Sequence, residues 1–124
     1  MGFLIVFIGG GLGAALRHGV NLAVARWLGS GFNYATLLEN VSGSIVMGLL
    51  VGYFAFAGHI PQHWRLFLTT GILGGYTTFS AFSLDTILLY ERGELGLAAL
   101  YVILSVALSV GGLLAGLALV RHLA

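Results

Sequence analysis

Long apolar runs, divided by three short polar breaks, set the pattern of this chain. The breaks are "GSGFN" at 29–33, "GHIPQHW" at 58–64 and "ERGEL" at 91–95, each rich in turn or charged residues. They leave four apolar segments: from about Gly2 to Leu28, Asn33 to Ala57, His63 to Tyr90 and Leu95 to Val120. Each has the roughly 20 mostly apolar residues that a helix needs to cross a bilayer. The pattern therefore predicts an all-α integral membrane protein, a single four-helix transmembrane domain over residues 1–124.

Polar positions inside the segments are ordered. On the second, Asn40, Ser44, Gly48 and Gly52 follow at intervals of four, with Thr36 just before. On the fourth, Tyr101, Ser105 and Ser109 repeat the spacing. Residues four apart share a helical face, so each segment carries a stripe of neutral donors. Interhelical hydrogen bonding explains a single buried hydroxyl; two stripes favour a lined polar track. Small residues pair up as well: Gly9 with Gly13, Ser44 with Gly48 and Gly52, and Gly112 with Gly116. That spacing lets helix backbones approach closely in lipid.

The third segment departs from the pattern at "GGYTTFSAFSLD", Gly74 to Asp85. Glycines are costly in a helix, and Gly71, Gly74 and Gly75 crowd here before two threonines. The expectation is a helix broken near the bilayer midplane. Irregular backbone at that depth is tolerated only if buried in protein or lining a cavity, and freed carbonyls can coordinate a cation. Beyond the break, Phe79, Phe82, Ser83 and Thr86 share one helical face. Aromatic edges are partially positive, so that face suits an anion, although ordinary core packing is the better explanation of two phenylalanines taken on their own.

Composition sharpens the class. Hydrophobic residues make up 59% and charged ones 7%, and the mean hydropathy is +1.04. Soluble domains carry about a quarter charged residues. There is no cysteine, hence no disulfide or thiol metal site, and a net charge of +1 argues against nucleic acid as a partner. The N-terminal segment lacks a basic leader and reads as a retained helix. With four spans, Arg65 and Arg121 fall on one side and Arg26 and Arg92 on the other. Orientation follows the positive charge of the loops, so this balance makes insertion in both directions, and an antiparallel dimer, possible.

The motifs resemble those of the Fluc (CrcB) family of fluoride channels. "GGYTTFSAFSLD" is similar to the family's third-span signature, "GGGLGAALR" to its Gly-rich first span ending in Arg17, and "ATLLENVSGSIVMG" to the segment that carries the pore asparagine, here Asn40. The Tyr101, Ser105 and Ser109 stripe resembles its fourth-span polar track, so the likeness covers essentially the whole chain. The resemblance implies an antiparallel, dual-topology homodimer in a prokaryotic cytoplasmic (inner) membrane. It implies two pores that let fluoride leave the cell passively, down its electrochemical gradient, and so protect it from fluoride toxicity. Phe79 and Phe82 would turn ring edges to fluoride, with Asn40, Ser83, Tyr101, Ser105 and Ser109 along the path. A structural sodium ion at the dimer centre would rest on the backbone carbonyls of Gly74 and Thr77. No catalytic residue and no enzyme activity are implied.

Three further residues are candidate modulators. Arg17 matches the family's first-span arginine. Asp85 keeps the acid that follows the signature, at a vestibule mouth or as a helix-end partner. Glu39 stands where the family carries an apolar residue; it is expected to pair with Arg17 or His18, to face a watery vestibule or to stay protonated, and to modulate fluoride access. Tyr76, where an aliphatic residue is common, looks minor. A small multidrug exporter would place its glutamate in the first span, whereas Glu39 is in the second. An intramembrane hydrolase would need a histidine beside its nucleophile, which His18, His59, His63 and His122 do not supply. A structural subunit of a larger complex would carry no ion flux by itself.

Overall fold

The computed structural model describes residues 1–29 and 34–123. Asn33, the expected start of the second span, and most of the first break lie outside the described residues. Helix α1 is Gly2–Leu28 and α2 is Tyr34–Ala57. The third span divides into α3 (62–76) and α4 (Phe79–Glu91), and α5 is Leu95–Leu123. Four spans result, counting α3 and α4 as one, and all four are long and apolar enough to cross a membrane. Their outer faces are oily: Phe3 is 95% exposed and Phe7 78%. Such a surface suits lipid as its solvent.

Glycine brings the helices together in two pairs. A Cβ on Gly9 would lie 3.0 Å from the Gly71 Cα, and one on Gly13 would run into the Ile72 carbonyl and reach 2.9 Å from the Tyr76 nitrogen. Gly75 meets Gly10 equally closely, its Cβ lying 3.1 Å from the Gly10 Cα. So α1 and α3 touch backbone to backbone. On the other side, Gly48 of α2 faces the Leu113 carbonyl of α5, and Gly116 of α5 faces the Ile45 carbonyl of α2. In hydrocarbon there is little hydrophobic drive between helices, so this close van der Waals contact is what holds them.

The glycines of the third span do not break it. Leu66–Leu73 forms π-helical turns and Gly74–Tyr76 returns to α-helical geometry. The helix stops at Tyr76. Thr77 is extended (φ −85°, ψ 155°) and so is Thr78 (φ −153°, ψ 120°). Helix α4 then starts with Thr78 as its N-cap, the hydroxyl accepting from the Ala81 N–H at 3.2 Å. Threonine suits that position because its oxygen satisfies an otherwise orphan amide. Gly93 supplies the turn into α5 with φ 80°, its N–H donating to the Tyr90 carbonyl at 3.0 Å. A small core of Phe82, Leu89, Ala98 and Tyr101 ties α4 to α5, with Leu37 of α2 against it.

Candidate functional site

The break is clamped by a side chain 38 residues away. Asn40, in the second turn of α2, donates from Nδ2 to the Thr78 carbonyl (3.0 Å), and its Oδ1 accepts from the Thr78 N–H (2.7 Å). Both backbone groups of the extended residue are satisfied by one amide. In a continuing helix the Thr78 N–H would bond the Gly74 carbonyl; here that carbonyl loses its α-helical donor. The next carbonyl, of Gly75, accepts from Arg17 Nε at 3.1 Å. Thr77 folds its hydroxyl back onto the Leu73 carbonyl at 2.9 Å. Tyr76 adds a further brace, its hydroxyl 3.0 Å from Ser42 Oγ.

Beside the clamp runs an open groove of about 410 Å³. It gathers Asn40 from α2, Gly74, Thr77, Phe79 and Phe82 from the third span, and Ser105 and Ser109 from α5. An amide nitrogen carries two N–H groups, and one of Asn40's is committed to Thr78. The hydroxyls of Ser105 and Ser109 are buried and make no hydrogen bond. Three neutral donors therefore face one concave space. Phe79 and Phe82 stand with ring centroids 5.3 Å apart and planes tilted by 48°. Their burial differs sharply: Phe79 is 76% exposed and Phe82 9%.

Other expected residues lie elsewhere. Ser83 donates to the Phe79 carbonyl at 3.0 Å and is not among the groove-lining residues. Tyr101 is fully buried behind Phe82, stacked at 5.5 Å and 29°, and also lies outside the lining. Its hydroxyl donates to Asp85 Oδ2 at 2.9 Å. Asp85 thus sits in mid-helix as the acceptor of a tyrosine hydroxyl, not as a helix-end partner. Glu39 is 1% exposed and its Oε2 has no hydrogen-bond partner. No ion pair joins it to Arg17 or His18: Arg17 points Nε at Gly75, and His18 is exposed. Nor does it face a watery vestibule in this single chain.

Two contributors escaped the sequence reading. Thr78 is the hinge of the site, and its signal was present: a threonine ahead of a helical run is an N-cap candidate. Tyr76, taken as a minor change, anchors α3 to Ser42. No periodicity announces a bond between residues that far apart in the chain.

Comparison with known proteins gives the lineage. The family model described as CrcB-like protein, Camphor Resistance (CrcB) matches residues 4–117. The chain belongs to the CrcB family. A relative in Nitrobacter hamburgensis, named fluoride-specific ion channel FluC 2, is 68% identical over 123 residues and covers 99% of both chains. One in Rhodopseudomonas palustris, named fluoride-specific ion channel FluC, is 67% identical and covers 98% of both. A third, from Methylobacterium nodulans and with the same name, is 61% identical over 96% of this chain and 95% of its own.

Proposed function

We propose that this protein is a fluoride-selective channel that lets the ion leave the cytoplasm passively, and so protects the cell from fluoride toxicity. The observation that carries the reading is the groove, where Asn40, Ser105 and Ser109 offer neutral donors beside the Phe79–Phe82 pair. Fluoride is small and strongly hydrated, so a selective path must replace its water with many good donors. Conduction also requires sites weak enough to release the ion. Amide and hydroxyl N–H and O–H groups meet both conditions, and aromatic ring edges add a weak positive field.

The functional unit is an antiparallel homodimer with two pores in the bacterial inner membrane. The support is the incompleteness of the groove: Phe79 and Gly74 are exposed along it, and a second copy would close it. A structural sodium ion fits the same region. Thr77 is extended, the Gly74 carbonyl has lost its α-helical donor to Asn40, and both residues line the groove. Among the described residues no cluster of three His, Cys, Asp or Glu could hold a metal, so the cation would rest on backbone oxygens. Bound there, sodium supplies a fixed positive charge near both paths. The burial of Glu39 away from the groove argues against a proton-coupled exporter built on that carboxylate.

Reconstitution into liposomes, read with a fluoride electrode, tests the reading. Rapid fluoride release without chloride release is expected, and Phe79→Ile or Phe82→Ile should cut it sharply. Liposomes that retain their fluoride would reject the channel.

A further inference from the structure

The last turn of α3 before the break is Gly74–Tyr76, so Tyr76 is the only residue in that turn with a side chain. Its hydroxyl lies 3.0 Å from Ser42 Oγ of α2. The Ser42 hydroxyl is itself directed at the Glu39 carbonyl, 3.4 Å away. A hydroxyl has one hydrogen to give; with that of Ser42 turned to Glu39, the Tyr76 phenol donates and Ser42 accepts. Gly43 makes room for the pair. A Cβ there would run into the Thr77 methyl carbon and come within 3.2 Å of the Tyr76 ring, so the bare backbone lets the ring lie against α2. An aliphatic side chain in place of Tyr76 would fill the space and bond nothing.

Three consecutive residues are thereby tied to α2: Tyr76 through Ser42, Thr77 through its methyl against Gly43, and Thr78 through Asn40. Tyr76 stands between Gly74 and Thr77, the two residues proposed above to turn backbone oxygen to sodium. We propose that the Ser42–Tyr76 hydrogen bond is a latch that sets the direction of those two carbonyls, and with it the sodium affinity of the break. Ser42 and Tyr76 are positioning residues; neither touches the ion. This rests on the sodium reading. The physical reason is preorganisation. A backbone oxygen carries only partial charge, so a cation needs several of them aimed at one point. Ligands already held within about 0.5 Å of that arrangement bind without first being ordered. Two adjacent glycines give the last turn of α3 more backbone freedom than any other pair of residues would. Arg17 holds the Gly75 carbonyl and Asn40 orders the far side of the break. The latch fixes the near side, at the residue between the two ligands.

The test measures sodium binding and needs no flux. The full chain, purified in detergent, is dialysed against radioactive sodium, alongside Tyr76→Phe, which keeps the ring and removes the hydroxyl, and Ser42→Ala, which removes the acceptor. One such hydrogen bond is worth roughly two- to tenfold in an equilibrium constant, so each variant should raise the sodium dissociation constant by about that factor. The double variant should bind no more weakly than either single one, because both remove the same bond. Wild-type affinity in Tyr76→Phe would overturn the proposal, and so would a loss in Tyr76→Phe with none in Ser42→Ala. A brace that only stabilises the fold would lower Tm and leave sodium affinity where it was, which also overturns it. Should either variant fail to fold, the other decides. Should wild type bind no sodium, the sodium reading falls, and exchange of the Thr77 amide, bonded to the Leu73 carbonyl at 3.0 Å, decides the latch. Faster exchange in Tyr76→Phe than in wild type would show that the bond orders the break, and equal rates would overturn it.

Discussion

Replacing Asn40 by leucine separates two roles that the structure gives to one side chain. In the groove, Asn40 is a donor on the proposed fluoride path; at the break, it holds the backbone of Thr78. Leucine fills a similar volume and removes both bonds. The Thr78 N–H and carbonyl are then left part-buried without these partners, each at about 1–3 kcal/mol. Water reaching the open groove relieves some of this, so the expected loss is about 2–4 kcal/mol. For a chain of this size that lowers Tm by roughly 5–20 °C. Asn40→Asp is the informative second variant. A carboxylate still accepts from the Thr78 N–H but presents its other oxygen to the Thr78 carbonyl, so it destabilises when ionised. Once protonated it donates again, and acid narrows the deficit.

The assay is thermal unfolding of the purified protein, with amide exchange at Thr78 as a local probe. A residue that only lines the path would lose flux on substitution and leave Tm untouched. If Asn40→Leu unfolds at the wild-type temperature and the Thr78 amide exchanges no faster, the clamp contributes nothing and the reasoning fails.

Two further outcomes follow from packing and burial. Gly13→Ala is expected to cost about 2 kcal/mol or more, because its Cβ would meet the Ile72 carbonyl, whereas Gly11→Ala meets nothing within 4 Å and should be neutral; protease resistance of the two variants distinguishes them. Glu39→Gln keeps the shape of a side chain that is 1% exposed and removes a charge with an orphan oxygen, so Tm should hold or rise, and a large fall would mean that the carboxylate is ionised and paired. Fluoride flux through Glu39→Val that matches wild type at every pH would remove this residue from control of fluoride access.

Hydropathy made the four spans legible because each needs only length and oiliness, and the arrangement within them is less so. The glycines of the third span read as a weakness in the helix. Residue-by-residue propensities come from helices in water, where glycine costs conformational entropy and exposes backbone. Against α1 the same absence of a side chain is what lets Gly71 meet Gly9 and Gly75 meet Gly10. Helical geometry therefore persists through them, as π-turns and then α, until Thr77. The stripe spacing gathered Asn40, Ser105 and Ser109 correctly as members of helical faces. It could not tell that Tyr101 would turn behind Phe82 toward Asp85, because that depends on how α4 meets α5.

The placement of charge around the break follows one rule. Donors that face the groove are neutral: the second N–H of Asn40 and the hydroxyls of Ser105 and Ser109. The cationic donors stand back from it. Arg17 is spent on the Gly75 carbonyl and Arg65 is held against Phe54. A full charge at contact distance in a low-dielectric path binds several times more strongly than a dipole and would trap a small anion. Exchanging the two kinds of donor, as in Asn40→Arg, should therefore lower fluoride flux while strengthening fluoride binding.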